Sequence, residues 1–229
     1  MYCKTMNMSS SRIISIEGNI GSGKSSFLSY LKNKYADNNN IIFLKEPVDE
    51  WESIRDENGK TMLQKFYEDP KKYSFSFQMM AYISRLSILV KAQSSNPSYI
   101  ITERCLLTDK FIFAKMLYDE GKIERVEYEI YNKWFDEFNK NHTITDIVYI
   151  KTNPQTCIDR INKRARSGEE SITLDYISKC HLYHNEYIKQ VTKLKSIRLV
   201  EIDGNTNLEK KDDIDTLYNE WFQSLSINI

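Results

Sequence analysis

Short runs of branched apolar residues punctuate the chain at five places: Ile13–Glu17, Ile41–Lys45, Tyr99–Glu103, Ile147–Lys151 and Ile197–Ile202. They are too short for helices and too continuously apolar for strands with one wet face. This predicts parallel strands buried on both sides. The stretches between them carry helical spacing. Ser26–Leu31 opens one helix, and another starts near Leu106. Ser74–Lys91 reads as a helix with Phe77, Met80, Ile83 and Leu86 in its apolar face. Val126, Ile130, Trp134 and Phe138 recur every four residues, so they form either a core stripe or a face for a partner helix. A further helical stretch begins near Leu174. Strands alternating with helices predict an α/β fold, a five-stranded parallel sheet with right-handed crossovers.

The connections carry turn chemistry. Asp37-Asn38-Asn39-Asn40 and Asn96-Pro97-Ser98 are rich in residues that tolerate turn conformations. In Thr152-Asn153-Pro154, Asn153 suits the N-cap and Pro154 the first position of a helix. There is no internal repeat, proline-rich linker or compositional break. With 229 residues, the reading is one domain over residues 12–229, preceded by a loose tail at 1–11.

Composition narrows the function classes. Lys+Arg and Asp+Glu are both 32, so no global field draws the protein to nucleic acid or an anionic membrane. No apolar run approaches a membrane span. Cys3, Cys105, Cys157 and Cys180 are scattered, which suggests a reducing compartment rather than a disulfide framework. The tail lacks the apolar segment of a secretory signal, and Lys4 is its only basic residue before Arg12. The localisation expected is cytoplasmic, with a mitochondrial one left open.

One segment carries specific chemistry. Gly18-Asn19-Ile20-Gly21-Ser22-Gly23-Lys24-Ser25 fits G-x-x-x-x-G-K-[ST] between a strand and a helix, with Ser26 opening that helix. Backbone N–H groups and the helix N-terminus converge there on a polyphosphate. Lys24 would reach the outer phosphates and the Ser25 hydroxyl would hold Mg²⁺. A dinucleotide fingerprint with Glu46 on the ribose does not fit, because Ser26 stands at its third glycine.

Other candidates gather at strand ends, where open parallel sheets carry their sites. Glu46 closes the second run; Glu103-Arg104 closes the third. A kinase of a small alcohol needs a base near the attacking hydroxyl, an acid near Mg²⁺ and cations around the phosphoryl group. Gln78, Ala81 and Arg85 share a helix face that either reads the polar edge of a base or faces solvent. Arg160, Arg164 and Arg166 form either a lid over the phosphates, at about residues 160–172, or a solvated helix end. His181 and His184 read as structural rather than metal-binding.

This set resembles the deoxyribonucleoside kinases of the deoxycytidine, deoxyguanosine and insect multisubstrate type, from about Ile13 to about Leu208. The matching motifs are Glu17 through Ser25, Glu46-Pro47-Val48-Asp49-Glu50-Trp51, Tyr67-Glu68-Asp69-Pro70, Phe77-Gln78, Glu103-Arg104 and Arg164-Ala165-Arg166. The resemblance implies ATP-dependent phosphorylation of a deoxynucleoside 5′-hydroxyl in nucleotide salvage, with Mg²⁺, in a homodimer of the P-loop kinase fold. By position, Glu46 is the implied general base, Arg104 its neighbour at the hydroxyl, and Glu103 a holder of Mg²⁺. Trp51 and Gln78 line the base pocket, and Tyr67 and Glu169 hold the 3′-hydroxyl. Arg160, Arg164 and Arg166 meet phosphate charge.

Two positions depart from the family pattern: Cys105 where it usually has Ser, and Gly168 where the lid usually carries an acid. Ala81, Arg85 and Asp109 resemble the deoxycytidine and deoxypurine kinases, which implies a poor fit for thymidine. A deoxynucleoside monophosphate kinase is the closest enzymatic alternative, although thymidylate kinases typically have Asp-Arg where this chain has Glu103-Arg104. A non-catalytic nucleotide-binding relative is the other; such relatives tend to lose the lysine or the base, and Lys24 and Glu46 are both present.

Overall fold

In the computed structural model the described residues are 11–166, 169–194, 196–206 and 211–224. The tail therefore lies outside them except for Ser11, and so does the departure at Gly168. Five strands form one parallel sheet: β1 (Arg12–Glu17), β2 (Ile41–Leu44), β3 (Tyr99–Glu103), β4 (Asp146–Lys151) and β5 (Arg198–Asp203). Their order is β2-β3-β1-β4-β5, with β1 flanked by β3 and β4. All five apolar runs are thus strands, displaced by a residue at most. Ile14, Ile16, Ile101, Val148 and Ile150 pack on one side of the sheet, against Phe27, Leu28 and Leu31 of α1 (Lys24–Lys34). Ile13, Ile100 and Ile147 pack on the other side, with Tyr82, Tyr131 and Tyr187.

The crossovers are helical. α2 (Val48–Ser53), α3 (Met62–Glu68) and α4 (Pro70–Ser94) join β2 to β3. A capping box between Thr61 and Gln64 starts α3. Asp69 caps α4, with Pro70 at its first position. After β3 comes α5 (Leu106–Thr108), a π-helical turn (Asp109–Ala114) and α6 (Lys115–Asp119). The helix starts at Leu106 as its spacing predicts, and Asp109, three residues on, stands where α5 widens into the π turn. π-helical turns are rare and concentrate at functional sites.

α7 (Arg125–Phe138) then leads to β4; α8 (Pro154–Arg164) and α9 (Leu174–Val191) lead to β5; α10 (Lys211–Ser224) packs on α1. α8 begins where Asn153 and Pro154 predicted, although the Asn153 side chain makes no capping bond. On α7, Tyr131 and Phe135 point into the core. The stripe of Val126, Ile130, Trp134 and Phe138 is exposed, at 42–59% of full accessibility, so it is a free face and not core. Ile83 and Val90 of α4 are exposed as well. Among the described residues no helix is long and apolar enough to cross a membrane.

Candidate active site

The phosphate loop turns directly out of β1. Gly21 and Gly23 have φ of 77° and 104°, a region that favours glycine. A Cβ on Gly21 would lie 2.5 Å from the Cys157 carbonyl oxygen, so α8 closes against the loop only because that residue is glycine. Lys24 Nζ donates to the Asn19 carbonyl at 2.7 Å. The Asn19 side chain donates to the Ile177 carbonyl at 2.8 Å, which ties the loop to α9.

The carboxyl ends of β2 and β3 bring the acids in. Ser25 Oγ donates to Glu103 Oε1 at 2.6 Å, and Glu103 Oε2 is buried without a partner. A hydroxyl beside a half-satisfied carboxylate is a donor set that suits a hard divalent cation. Arg104, just past β3, adopts φ of 61°, the left-handed region. The turn is held by Arg104 N donating to the Ile16 carbonyl at 3.0 Å and Thr102 Oγ1 donating to the Arg104 carbonyl at 2.9 Å. Such strain persists where the surroundings over-determine it. Here it turns the guanidinium onto Glu46, with Nη1 to Oε1 at 2.7 Å, and over the Phe113 ring. Arg104 Nε and Nη2 are buried and unpartnered.

Arg85 links this cluster to the far wall. Its Nη2 donates to Glu46 Oε1 at 3.0 Å, its Nε to Asp109 Oδ2 at 2.9 Å and its Nη1 to the Glu103 carbonyl at 2.8 Å. Arg85 and Asp109 are almost wholly buried. Gln78, also buried, keeps its Oε1 without a partner. These groups line one cavity of about 310 Å³. Its apolar wall is built from Val48, Trp51, Leu63, Phe66, Phe77 and Ala81. Trp51 is fixed by Nε1 donating to Ser84 Oγ at 2.8 Å. The rest of the lining includes Tyr67, Phe113, Tyr176, Arg160, Arg164, Arg166 and Glu169.

A sequence model of the deoxynucleoside kinases matches residues 14–226. The chain belongs to the deoxynucleoside kinase family. It is similar to a fowlpox virus (strain NVSL) protein named a probable deoxycytidine kinase, at 34% identity over 84% of this chain and 78% of the relative. It is similar to human deoxycytidine kinase at 32% identity, over 86% of this chain and 85% of the relative. It is also similar to the mitochondrial deoxyguanosine kinase of Xenopus laevis at 31% identity, over 78% of this chain and 74% of the relative. Family membership makes this deoxynucleoside kinase a phosphotransferase, and ATP is the phosphate donor general to the family.

In this kinase the sequence-predicted residues gather on the cavity, with three exceptions. Gly18, Asn19 and Ser22 of the phosphate loop lie behind its surface. The solvent-facing alternative for Gln78 and Arg85 is excluded by their burial. Arg164, Arg166 and Glu169 form one cluster, with Arg164 to Glu169 at 2.6 Å and Arg166 to Glu169 at 3.6 Å. His184 is buried: its Nδ1 lies 2.6 Å from the Cys180 carbonyl oxygen, and its Nε2 has no partner. The satisfied role expected of it is therefore only half met. Phe113 and Tyr176 were missed by sequence reasoning. Phe113 lies four residues after Asp109 on the same turn, which is the signal that could have found it.

The charges interact strongly. Burial would raise the Glu46 pKa, but Arg104, Arg85 and Lys24 overcome it and hold the carboxyl down at about 2. Burial, with Arg104 adding to it, lowers Lys24 to about 8. Asp109 is pushed up to about 6 by burial, which its Arg85 contact offsets only in part.

Proposed function

We propose that this kinase transfers the γ-phosphoryl group of ATP to the 5′-hydroxyl of deoxycytidine or a deoxypurine nucleoside, in preference to thymidine, in nucleotide salvage. The observation that carries the reading is the buried run Glu46–Arg85–Asp109 beside the phosphate loop. One guanidinium there links a proton acceptor to a carboxylate aimed at a base.

Glu46 accepts the 5′ O–H proton as that oxygen bonds to the γ-phosphorus. The bond from that phosphorus to the β–γ bridging oxygen breaks, and ADP leaves. Arg104 orients Glu46 and offers its unpartnered N–H groups to the reacting oxygens. Lys24, Arg160, Arg164 and Arg166 offset phosphate charge, the last three from a lid at about 160–172. Ser25 and Glu103 would hold Mg²⁺, which when bound offsets charge on the phosphate oxygens. Gly18 through Ser26 cradle the phosphates. Trp51 and Ala81 bound the base pocket, Gln78 pairs with the base edge, and Tyr67 and Glu169 take the 3′-hydroxyl.

The exposed stripe Val126, Ile130, Trp134 and Phe138, with Ile83 and Val90 of the neighbouring α4, supports a homodimer. Cys105, Cys157 and Cys180 are free and buried, which supports a reducing compartment, here taken as the cytoplasm. Residues 12–229 are taken as one domain.

The test is purified protein with ATP, Mg²⁺ and a panel of nucleosides and monophosphates. Deoxycytidine, deoxyadenosine or deoxyguanosine should give the 5′-monophosphate with the highest kcat/KM. Turnover of monophosphates alone would overturn the reading in favour of a monophosphate kinase.

A further inference from the structure

Glu17 is the last residue of β1 and immediately precedes the phosphate loop. Its side chain is fully buried, and it meets two hydroxyls and the Cys105 thiol rather than a cation. Ser15 Oγ donates to Oε1 at 2.6 Å, and Thr108 Oγ1 donates to the same oxygen at 2.5 Å. Glu17 Oε2 is buried without a partner. Burying a carboxyl group in this way costs stability that an apolar side chain of similar size would not. What Glu17 supplies instead is direction, because two short hydrogen bonds converge on one oxygen.

The second of those bonds spans 91 residues of chain. It joins the strand that feeds the phosphate loop to the last residue of α5. The next residue is Asp109, where the helix changes from α to π. The backbone is weak at that point, since the Asp109 N–H reaches the Cys105 carbonyl only at 3.4 Å. A side-chain anchor one residue earlier therefore counts for more than it would in a regular helix. The anchor extends further: Cys105 Sγ lies 3.5 Å from Thr108 Oγ1 and 3.9 Å from the Tyr187 hydroxyl on α9. Asp109 and Phe113, both on the turn so held, line the cavity that the phosphate loop also lines.

We propose that Glu17 is a positioning residue for nucleoside recognition: through Thr108 it fixes where the base-reading turn stands relative to the phosphate loop. This rests on the reading of Asp109 as a base contact. Glu17 touches neither substrate; it acts through the Thr108 hydroxyl. The spacing it sets lies between a polyphosphate site and a base site, so its loss moves nucleoside affinity and leaves the phosphate loop's own geometry in place.

The experiment compares Thr108→Val with Thr108→Ser by steady-state kinetics on both substrates, with Glu17→Gln alone and combined with Thr108→Val. Thr108→Val removes the donor and should raise KM for deoxycytidine about tenfold, the weight of about one intramolecular hydrogen bond. KM for ATP should stay at the wild-type value. Thr108→Ser keeps the hydroxyl and should restore the nucleoside KM. The double variant should be no worse than Thr108→Val alone. An unchanged nucleoside KM in Thr108→Val, a Thr108→Ser variant as impaired as Thr108→Val, or equal rises in both KM values would overturn the proposal. Wild-type protein that phosphorylates no deoxynucleoside would instead overturn the reading of the site itself. If Glu17→Gln fails to fold, the comparison of Thr108→Val with Thr108→Ser decides alone.

Discussion

Arg104 donates to Glu46 across 2.7 Å, and both side chains sit at the mouth of the phosphate loop. The contact keeps Glu46 ionised and aims its carboxylate. It also leaves two Arg104 donors, Nε and Nη2, buried without a partner. Glu46→Gln preserves the shape and removes the proton acceptor. We expect kcat to fall by roughly 10²–10⁴, with the dissociation constant for the nucleoside little changed. Calorimetric binding beside turnover separates the two. A binding collapse with normal turnover would make Glu46 a binding residue.

Lys24 is poised differently, since burial first and Arg104 second depress it to about 8. The charged form is the one that binds phosphate. The kcat/KM for ATP, which reports the free enzyme, should therefore decline as pH rises through about 8. Lys24→Ala should lose about 10²–10³ in kcat without unfolding, as read by circular dichroism. Near-normal turnover would remove Lys24 from the phosphate site.

Much of this was legible in the sequence for physical reasons. Strands buried on both faces leave continuous apolar runs, so Ile13–Glu17 and its four counterparts stood out. Glu46 and Glu103 were found because chemistry in a parallel sheet gathers at carboxyl ends. Spacing could not say whether Gln78 and Arg85 face solvent, because α4 is 25 residues long and apolar on several sides. It could not say whether Trp134 and Phe138 are core, because a free apolar face and a buried one have the same period. The π turn at Asp109–Ala114 left no mark in residue types. It begins one residue after the tertiary contact of Thr108 with Glu17.

The lid arginines should matter for turnover more than for nucleoside affinity. Arg164 and Arg166 now face Glu169 and line the cavity edge. On the lid reading their charges would meet the phosphoryl group only in a closed state. Arg164→Ala and Arg166→Ala should each lower kcat and kcat/KM for ATP, while the deoxycytidine dissociation constant holds. Intact kinetics in both would reduce the cluster to a solvated helix end.

Asp109 carries a pH dependence. Burial raises its pKa to about 6, and the ionised form is the one that accepts hydrogen bonds from an exocyclic amino group. As pH falls through about 6 the acceptor is lost, so kcat/KM for deoxycytidine should fall with it. Glu46 is held well below the usual carboxylate range by Arg104, Arg85 and Lys24, away from that limb. Asp109→Asn should remove the limb; a profile identical to wild type would exclude Asp109 from base recognition.

The same pair is the proposed reader of the base. Arg85 and Asp109 meet at 2.9 Å in the cavity wall, beside the unpartnered Oε1 of Gln78. Together they would present donors and acceptors to the polar edge of cytosine or a purine. On that reading they would also leave little apolar space for the 5-methyl of thymine. Removing one partner alone leaves a buried charge uncompensated, which costs stability. The informative variant therefore replaces both, as Arg85→Met with Asp109→Ala. Arg85 also holds Glu46 at 3.0 Å, so some loss of kcat for every substrate is expected. Against that loss, the ratio of kcat/KM for thymidine to that for deoxycytidine should rise, because a hydrogen-bonding wall becomes an apolar one. The ratio cancels the shared effect on Glu46. Wild-type protein with its highest kcat/KM for thymidine would sink the specificity and leave the kinase standing.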